Sequence, residues 1–228
     1  MFRNLQLSLY DFFGYLLPGA VLSLSAWVAF GTLFWPQEPV LVWAPLSTQG
    51  AVVLLLIAYL VGHLGQGIGN LLQKLPLVDP LCASALAPTL EDSVRRAASS
   101  RFGIAARDLT ASQLLELCGE ALLHSESPGE QEIFTYREGF YRGIFVSLIF
   151  LAFALIVRLI RGPAAVFAGG TAFELARGPL SFGVVLSLVG AWLALQRYKR
   201  FAAYRMRRTL LRFLALETAR AAPKEERR

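Results

Sequence analysis

The chain has 228 residues, of which 55% are hydrophobic and 17% charged, with a net charge of +6. Its mean hydropathy is +0.51. A soluble domain of this size rarely runs so apolar, so an ordinary water-soluble fold is set aside. No segment alternates at period two, which sets aside a closed β-barrel. A spanning helix needs about 20 mostly apolar residues. Four windows supply them: Phe12–Trp35, Ala51–Leu72, Tyr141–Ile160 and Gly178–Arg197. Backbone groups in lipid must be satisfied within their own segment, so these windows predict helices.

The first window is entered through "LYDFFGYLLPGAV". Its apolar run is too long for a cleaved leader, and no small-x-small site follows, so it reads as a retained signal anchor. Asp11 suits the N-terminus of this helix, as cap and as favourable charge at the dipole's positive end; an ion pair with Arg142 or the basic C-terminal helix is the alternative. Gly14, Pro18 and Gly19 predict a kinked or loosened start. The carbonyl that Pro18 leaves without a donor must then find one on a neighbouring helix. The loop "PQEPVLVWAPLSTQ" closes a hairpin over residues 1–72, with Trp35 and Trp43 placed as interfacial aromatics.

The second span ends in "AYLVGHLGQGIGNLLQK". Residues three and four apart share a helix face. Tyr59, His63, Gln66, Asn70 and Gln73 therefore form one polar stripe. Ala58, Gly62, Gly65 and Gly69 form a small-residue seam beside it, with Gly65-x-x-x-Gly69 as a close-packing motif. This half of the helix is expected to face helices, other subunits or water, not lipid. The stripe reads either as interhelical hydrogen bonding or as a water-accessible path lined by His63, Gln66 and Asn70. His63 is the one member whose residue type can change charge near neutral pH.

Residues 73–140 form a helical insert with ten acids and six bases. It opens with the proline-broken "LPLVDPLCASALAP". Three helix starts follow: "TLED" at Thr89–Asp92, "TASQ" at Thr110–Gln113 and "SPGE" at Ser127–Glu130. Nothing stronger than Gly139 and Gly143 interrupts the last of these before the third span, so one helix is expected to run from the insert into the membrane. Cys82 and Cys118 form no C-x-x-C pair and read as reduced, buried thiols.

The third and fourth spans complete residues 141–197. Placing the N-terminus inside gives 1, 7 and 11 basic residues in the inside segments against none and three outside, which accounts for all 22. The positive-inside rule then puts both ends in the cytosol. Arg158 and Arg161 lie on the outer side, where snorkelling to headgroups would accommodate them. Residues 198–228 read as a basic cytosolic helix and tail, with Phe201, Tyr204, Leu211 and Leu214 on one packing face and "APKEERR" solvated. Arg197, Lys199, Arg200, Arg205, Arg207, Arg208 and Arg212 cluster at its start. They suit a positive-inside stop with anionic-lipid attraction, docking to the acidic insert of the same or a neighbouring subunit, or capture of a nucleotide; nucleic acid is the least favoured partner.

Residue sets for chemistry are missing. No second intramembrane aspartate accompanies Asp11 in a G-x-G-D setting. Ser181 with His63 lacks a G-x-S-G pattern. "GQGIG" follows no strand and lacks the Lys-Ser/Thr ending of a phosphate loop. His124 stands alone, and no metal or cofactor spacing occurs. The expectation is a non-enzymatic protein without cofactors.

"YDFFGYLLPG" at Tyr10–Gly19 and "AYLVGHLGQGIGNLL" at Ala58–Leu72 resemble segments of small multi-pass bacterial membrane proteins of unknown function, some found near antiphage-defence genes. The resemblance covers a small part of the chain and implies a membrane effector or membrane partner in a defence system, with no residue roles attached. The expected architecture is thus an all-α membrane protein with four spans, N-in and C-in, in the bacterial inner membrane. It is expected to be a homo-oligomer and to form a pore or membrane-perturbing assembly controlled from the cytosol. A membrane anchor that recruits a cytosolic protein is the alternative, and a membrane-embedded enzyme comes third.

Overall fold

A computed structural model describes residues 12–34, 41–43, 47–76, 78–79, 88–123, 129–162, 164–168, 171–175 and 177–221, with backbone alone at 12–13, 41–43, 123, 129–136, 164–168 and 171–175. Six α-helices are described: α1 (Leu17–Phe34), α2 (Thr48–Leu72), α3 (Pro88–Phe102), α4 (Ala111–Leu123), α5 (Gly129–Arg161) and α6 (Arg177–Ala221). Four helical stretches are long and apolar enough to cross a membrane: Gly14–Phe34, Thr48–Leu72, Arg137–Arg161 and Arg177–Ala221. Each contains most of one window read from the sequence. α5 is a single helix of 33 residues and α6 one of 45 residues, so both continue past their apolar windows.

The helical reading has one addition. Three short strands, β1 (Leu41–Trp43), β2 (Ala164–Ala168) and β3 (Thr171–Leu175), form a sheet in that order. β1 and β2 pair in parallel from Leu41↔Val166 to Trp43↔Ala168. β2 and β3 are antiparallel, from Ala164↔Leu175 to Ala168↔Thr171. At three to five residues each, these strands are too short to stand out as a period-two pattern.

The chain divides into two compact units. One comprises Met1–Lys74 with Tyr136–Tyr198, the other Leu75–Thr135 with Lys199–Arg228.

In the first unit small residues share the core with Leu22, Val146, Leu180, Leu195 and Tyr198. Ala152, Ala154, Ala191 and Ala194 are buried. Gly183 faces Leu155 and Gly190 faces Leu148, where an added Cβ would come to 3.2 and 3.0 Å of their Cδ1 atoms. Without a hydrophobic drive between helices in lipid, such close backbone approach supplies the dispersion contact. Buried hydroxyls return to their own helix: Ser25 Oγ donates to Val21 O and Thr32 Oγ1 to Val28 O, both at 2.7 Å. Arg158 is only 3% exposed. It turns into protein and does not snorkel as expected, in keeping with the cost of a lipid-facing charge; Arg161 is exposed. Gly162, with φ +108°, ends α5 and donates its N–H to Arg158 O at 3.1 Å.

The second unit has an ordinary hydrophobic core. Val94 and Ala98 of α3, Leu114, Cys118 and Ala121 of α4, Ala106 between them, and Leu210 and Phe213 of α6 are buried together. Phe102 and Phe213 stack at 6.3 Å, and Arg101 pairs with Glu217. The "TASQ" box is present in full: Gln113 N donates to Thr110 Oγ1 at 3.3 Å and Thr110 N to Gln113 Oε1 at 2.9 Å. At "TLED" the reading shifts, because α3 starts at Pro88, whose fixed φ suits a first turn. Thr89 lies inside the helix and accepts from Ser93 Oγ on its carbonyl. α3 ends at Gly103, φ +65°, whose N–H returns to Ser99 O at 3.1 Å, an αL cap. Arg95 Nη1 then holds the following turn by donating to Ala106 O at 2.7 Å and Leu109 O at 2.8 Å.

The packing face read for the basic helix holds at Leu214, which packs at the edge of this core, and needs correcting elsewhere. Tyr204 and Leu211 are each 43% exposed, whereas Ala202, Met206, Leu210 and Phe213 are buried. With 3.6 residues per turn, the buried set lies about half a turn from the expected one. Leu210 and Phe213 share a core with α3 and α4, and Ala202 and Met206 are buried on the same side of α6. Asp11, Trp35, Cys82, His124 and the tail 222–228 lie outside the described residues, as do most of "LPLVDPLCASALAP" and Ser127–Pro128; of Trp43 only the backbone is described.

Candidate functional site

The polar end of α2 is assembled from three helices, all within the first unit. α1 enters through a π-helical turn, Phe12–Leu16, before its α-helical part begins. A π-turn is a local response to a disturbed ladder, and Pro18 supplies the disturbance. It has no N–H to offer the carbonyl four residues back, Gly14 O. Gln66 of α2 fills that role, with Nε2 donating to Gly14 O at 3.0 Å. The same amide donates to Gly139 O of α5 at 2.7 Å. Its Oε1 accepts from Arg142 Nε at 3.1 Å and Arg142 Nη2 at 2.8 Å. Both donors and both acceptor sites of one side-chain amide are thus used. Gln66 is 7% exposed, and a buried amide satisfied on all sides fixes the relative positions of its three helices.

The small-residue seam lies beside it on the buried face. Ala58, Gly62, Gly65 and Gly69 are all buried. A Cβ on Gly62 would fall against the Tyr15 carbonyl, 2.7 Å from its carbon. Gly19 is in the same state opposite Ala58 O, with Gly62 N at 2.6 Å. A Cβ on Gly65 would come to 3.3 Å of Leu22 Cδ2, and one on Gly69 to 2.9 Å of Arg142 Cγ. On α5, a Cβ on Gly143 would come to 2.9 Å of Gln66 Nε2 and 3.0 Å of Pro18 Cγ. Ser147 Oγ lies 2.7 Å from Pro18 O and 2.9 Å from Gly143 O, able to donate to either. The seam is therefore occupied within one chain.

The polar stripe is split. Gln66 belongs to the buried face, Tyr59 and Gln73 are half-buried, and His63 and Asn70 are exposed. His63 stacks on Tyr15, ring centroids 3.9 Å apart, and meets Tyr59 edge-on at 4.7 Å. Residues spaced 4, 3, 4 and 3 span a strip wide enough that only its edge nearest the seam turns inward, and Gln66 is on that edge. Sequence reasoning missed Gly139, Arg142 and Ser147 as partners. Gly139, Gly143 and Ser147 stand four apart, a small-residue row that carried the signal; the sequence reading takes Gly139 and Gly143 only as weak helix breakers and passes over Ser147. Glu138, 6% exposed, is a further buried group of α5. The basic positions Arg197, Arg200, Arg207 and Arg208 are exposed, and Lys199, Arg205 and Arg212 are half-buried. Among the described residues no three His, Cys, Asp or Glu side chains converge to hold a metal. The Gln66 junction offers hydrogen bonds and one guanidinium charge, that of Arg142.

These features define a helical protein with four candidate membrane spans, three of them joined by a buried amide. Comparison of the chain with protein-family models, with curated proteins and with solved structures returns no match.

Proposed function

We propose that this is a non-enzymatic multi-pass protein of the bacterial inner membrane, with both termini in the cytosol, that works as an assembly of its own copies. The observation that carries this reading is the exposure of His63 and Asn70 on an otherwise apolar spanning helix. Polar side chains at such positions are costly against lipid, so another subunit or water covers them. Around a shared axis, His63, Asn70 and Tyr59 would line a path. A ligand or partner on the cytosolic unit would open it by shifting α5 and α6 and straining the Gln66–Arg142 clasp. The resemblance at Tyr10–Gly19 and Ala58–Leu72 makes an antiphage-defence effector the setting to test.

The test is the arrangement of the purified protein in a nanodisc, by cryo-EM. A symmetric ring with His63 and Asn70 toward the axis supports a pore. A monomer with these residues in lipid overturns the assembly. A second reading, a membrane anchor that recruits a cytosolic protein and conducts nothing, draws on the fact that Gln66 and the glycine seam are consumed by packing within one chain. Single-channel recording on the same nanodisc-verified oligomer separates the two.

A further inference from the structure

In the second unit, α4 and the cytosolic stretch of α6 share one core, and each turns a charged face away from it. On α6 the buried side is Ala202, Met206, Leu210 and Phe213. About half a turn away lie Arg200, Arg207 and Arg208, all exposed, with Tyr204 and Leu211 each 43% exposed between them. Arg200 sits over the Tyr204 ring at 5.6 Å. This is an apolar ridge flanked by guanidinium groups, a composition typical of interface anchors. On α4 the buried side is Leu114, Cys118 and Ala121. Glu116 and Glu120, one turn apart, are exposed on the opposite side. Gly119 beside them has open space where a Cβ would be, so a partner helix can approach closely there.

The two faces are of opposite charge and both point outward from the core they share. They therefore cannot meet within one chain. We propose that they meet between chains: the Arg200/Tyr204/Arg207 face of one copy docks on the Glu116/Glu120 face of the next. Each copy donates one face and receives the other, so the contact can repeat from copy to copy and forms a ring where the rotation between neighbours closes. The inference rests on the assembly reading above and names the contact that builds it. An anionic membrane surface is the weaker occupant. Along an unbroken helix Arg207 lies about 15 Å beyond Arg197, while charge at a lipid surface is screened over about 8 Å at physiological salt.

The experiment uses the full-length protein in detergent and in nanodiscs, with mass read by light scattering and native mass spectrometry. The arms are wild type, Arg200→Glu/Arg207→Glu, Glu116→Arg/Glu120→Arg, and the combination of all four. Each double reversal should weaken association by roughly tenfold or more, because like charges then face each other. The combination should restore it. Salt at about 1 M, where screening falls to about 3 Å, should weaken the wild type. All four positions are outside the core, so helical content and thermal midpoint serve as the folding control. An oligomer untouched by either reversal overturns this contact and leaves the assembly reading standing. A wild-type monomer overturns both. Loss on arginine reversal without rescue in the combination, with retention only in phosphatidylglycerol nanodiscs, assigns the basic face to lipid and overturns the proposal.

Discussion

Three glycines within one and a half turns of α2 should respond to alanine in sharply different ways. At Gly62 the new methyl lies against the Tyr15 carbonyl, 2.7 Å from its carbon and 3.0 Å from its Cα. Carbon atoms settle at about 3.5–4.0 Å, so α1 and α2 must part by roughly 1 Å, and backbone cannot rotate out of the way. Overpacking of this kind costs about 1–3 kcal/mol, at the upper end where the obstacle is backbone. At Gly65 the methyl meets only Leu22 Cδ2 at 3.3 Å, a side-chain tip that can turn, and the loss should stay below about 1 kcal/mol. At Gly67 nothing lies within 4 Å, and the gain in helix propensity, up to about 1 kcal/mol, should appear as neutral or stabilising. Reversible unfolding in mixed micelles, followed by helical circular dichroism, orders the three variants. If Gly62→Ala unfolds with Gly67→Ala, the helices do not cross at Gly62 and the reasoning fails.

Gln66→Leu should cost about 1–3 kcal/mol in the same assay, because Gly14 O, Gly139 O and Arg142 lose a buried partner together; an unchanged midpoint would show that Gln66 is not a clasp. Ser147→Ala, which removes a hydroxyl near Pro18 O and Gly143 O, should cost only about 0.6 kcal/mol, the usual worth of such a bond in a membrane. Burial raises the Cys118 thiol from 9.0 to about 11. The unfolded chain therefore releases this proton first, and the stability contribution, intact below pH 9, should be lost as pH rises toward 11. Cys118→Ala should flatten that decline, and alkylation of Cys118 at neutral pH should require unfolding. Arg101→Ala, which removes a partly exposed ion pair with Glu217, should lower stability by no more than about 1 kcal/mol; a larger loss would mean that the pair, not the Phe102–Phe213 stack, holds α3 to α6.

Much of the candidate site was legible in part. The seam Ala58, Gly62, Gly65, Gly69 was readable because small residues at helical spacing have one common use, close approach of another backbone. The need for an outside donor near Pro18 was readable too, since proline always leaves a carbonyl behind. That Gln66 is the donor was not. Tyr59, His63, Gln66 and Asn70 are all polar and lie on one helical stripe, and only the crossing of α1 and α5 over α2 selects one of them for the interior. Arg158 shows the same limit, because whether an arginine snorkels or turns inward depends on neighbours far away in the chain.

Length and hydropathy by themselves determined four apolar helices, since lipid forces each segment to satisfy its own backbone and leaves one solution per window. The paired capping residues Thr110 and Gln113 determined one helix start for the same reason: the bonds are local. The tertiary structure alone decided which face of each helix is inside. On α6 it put Phe213 in the core and Tyr204 outside, against the sequence reading. The buried face, Ala202, Met206, Leu210 and Phe213, holds no arginine, and a helix buries whichever face its neighbours have room to receive.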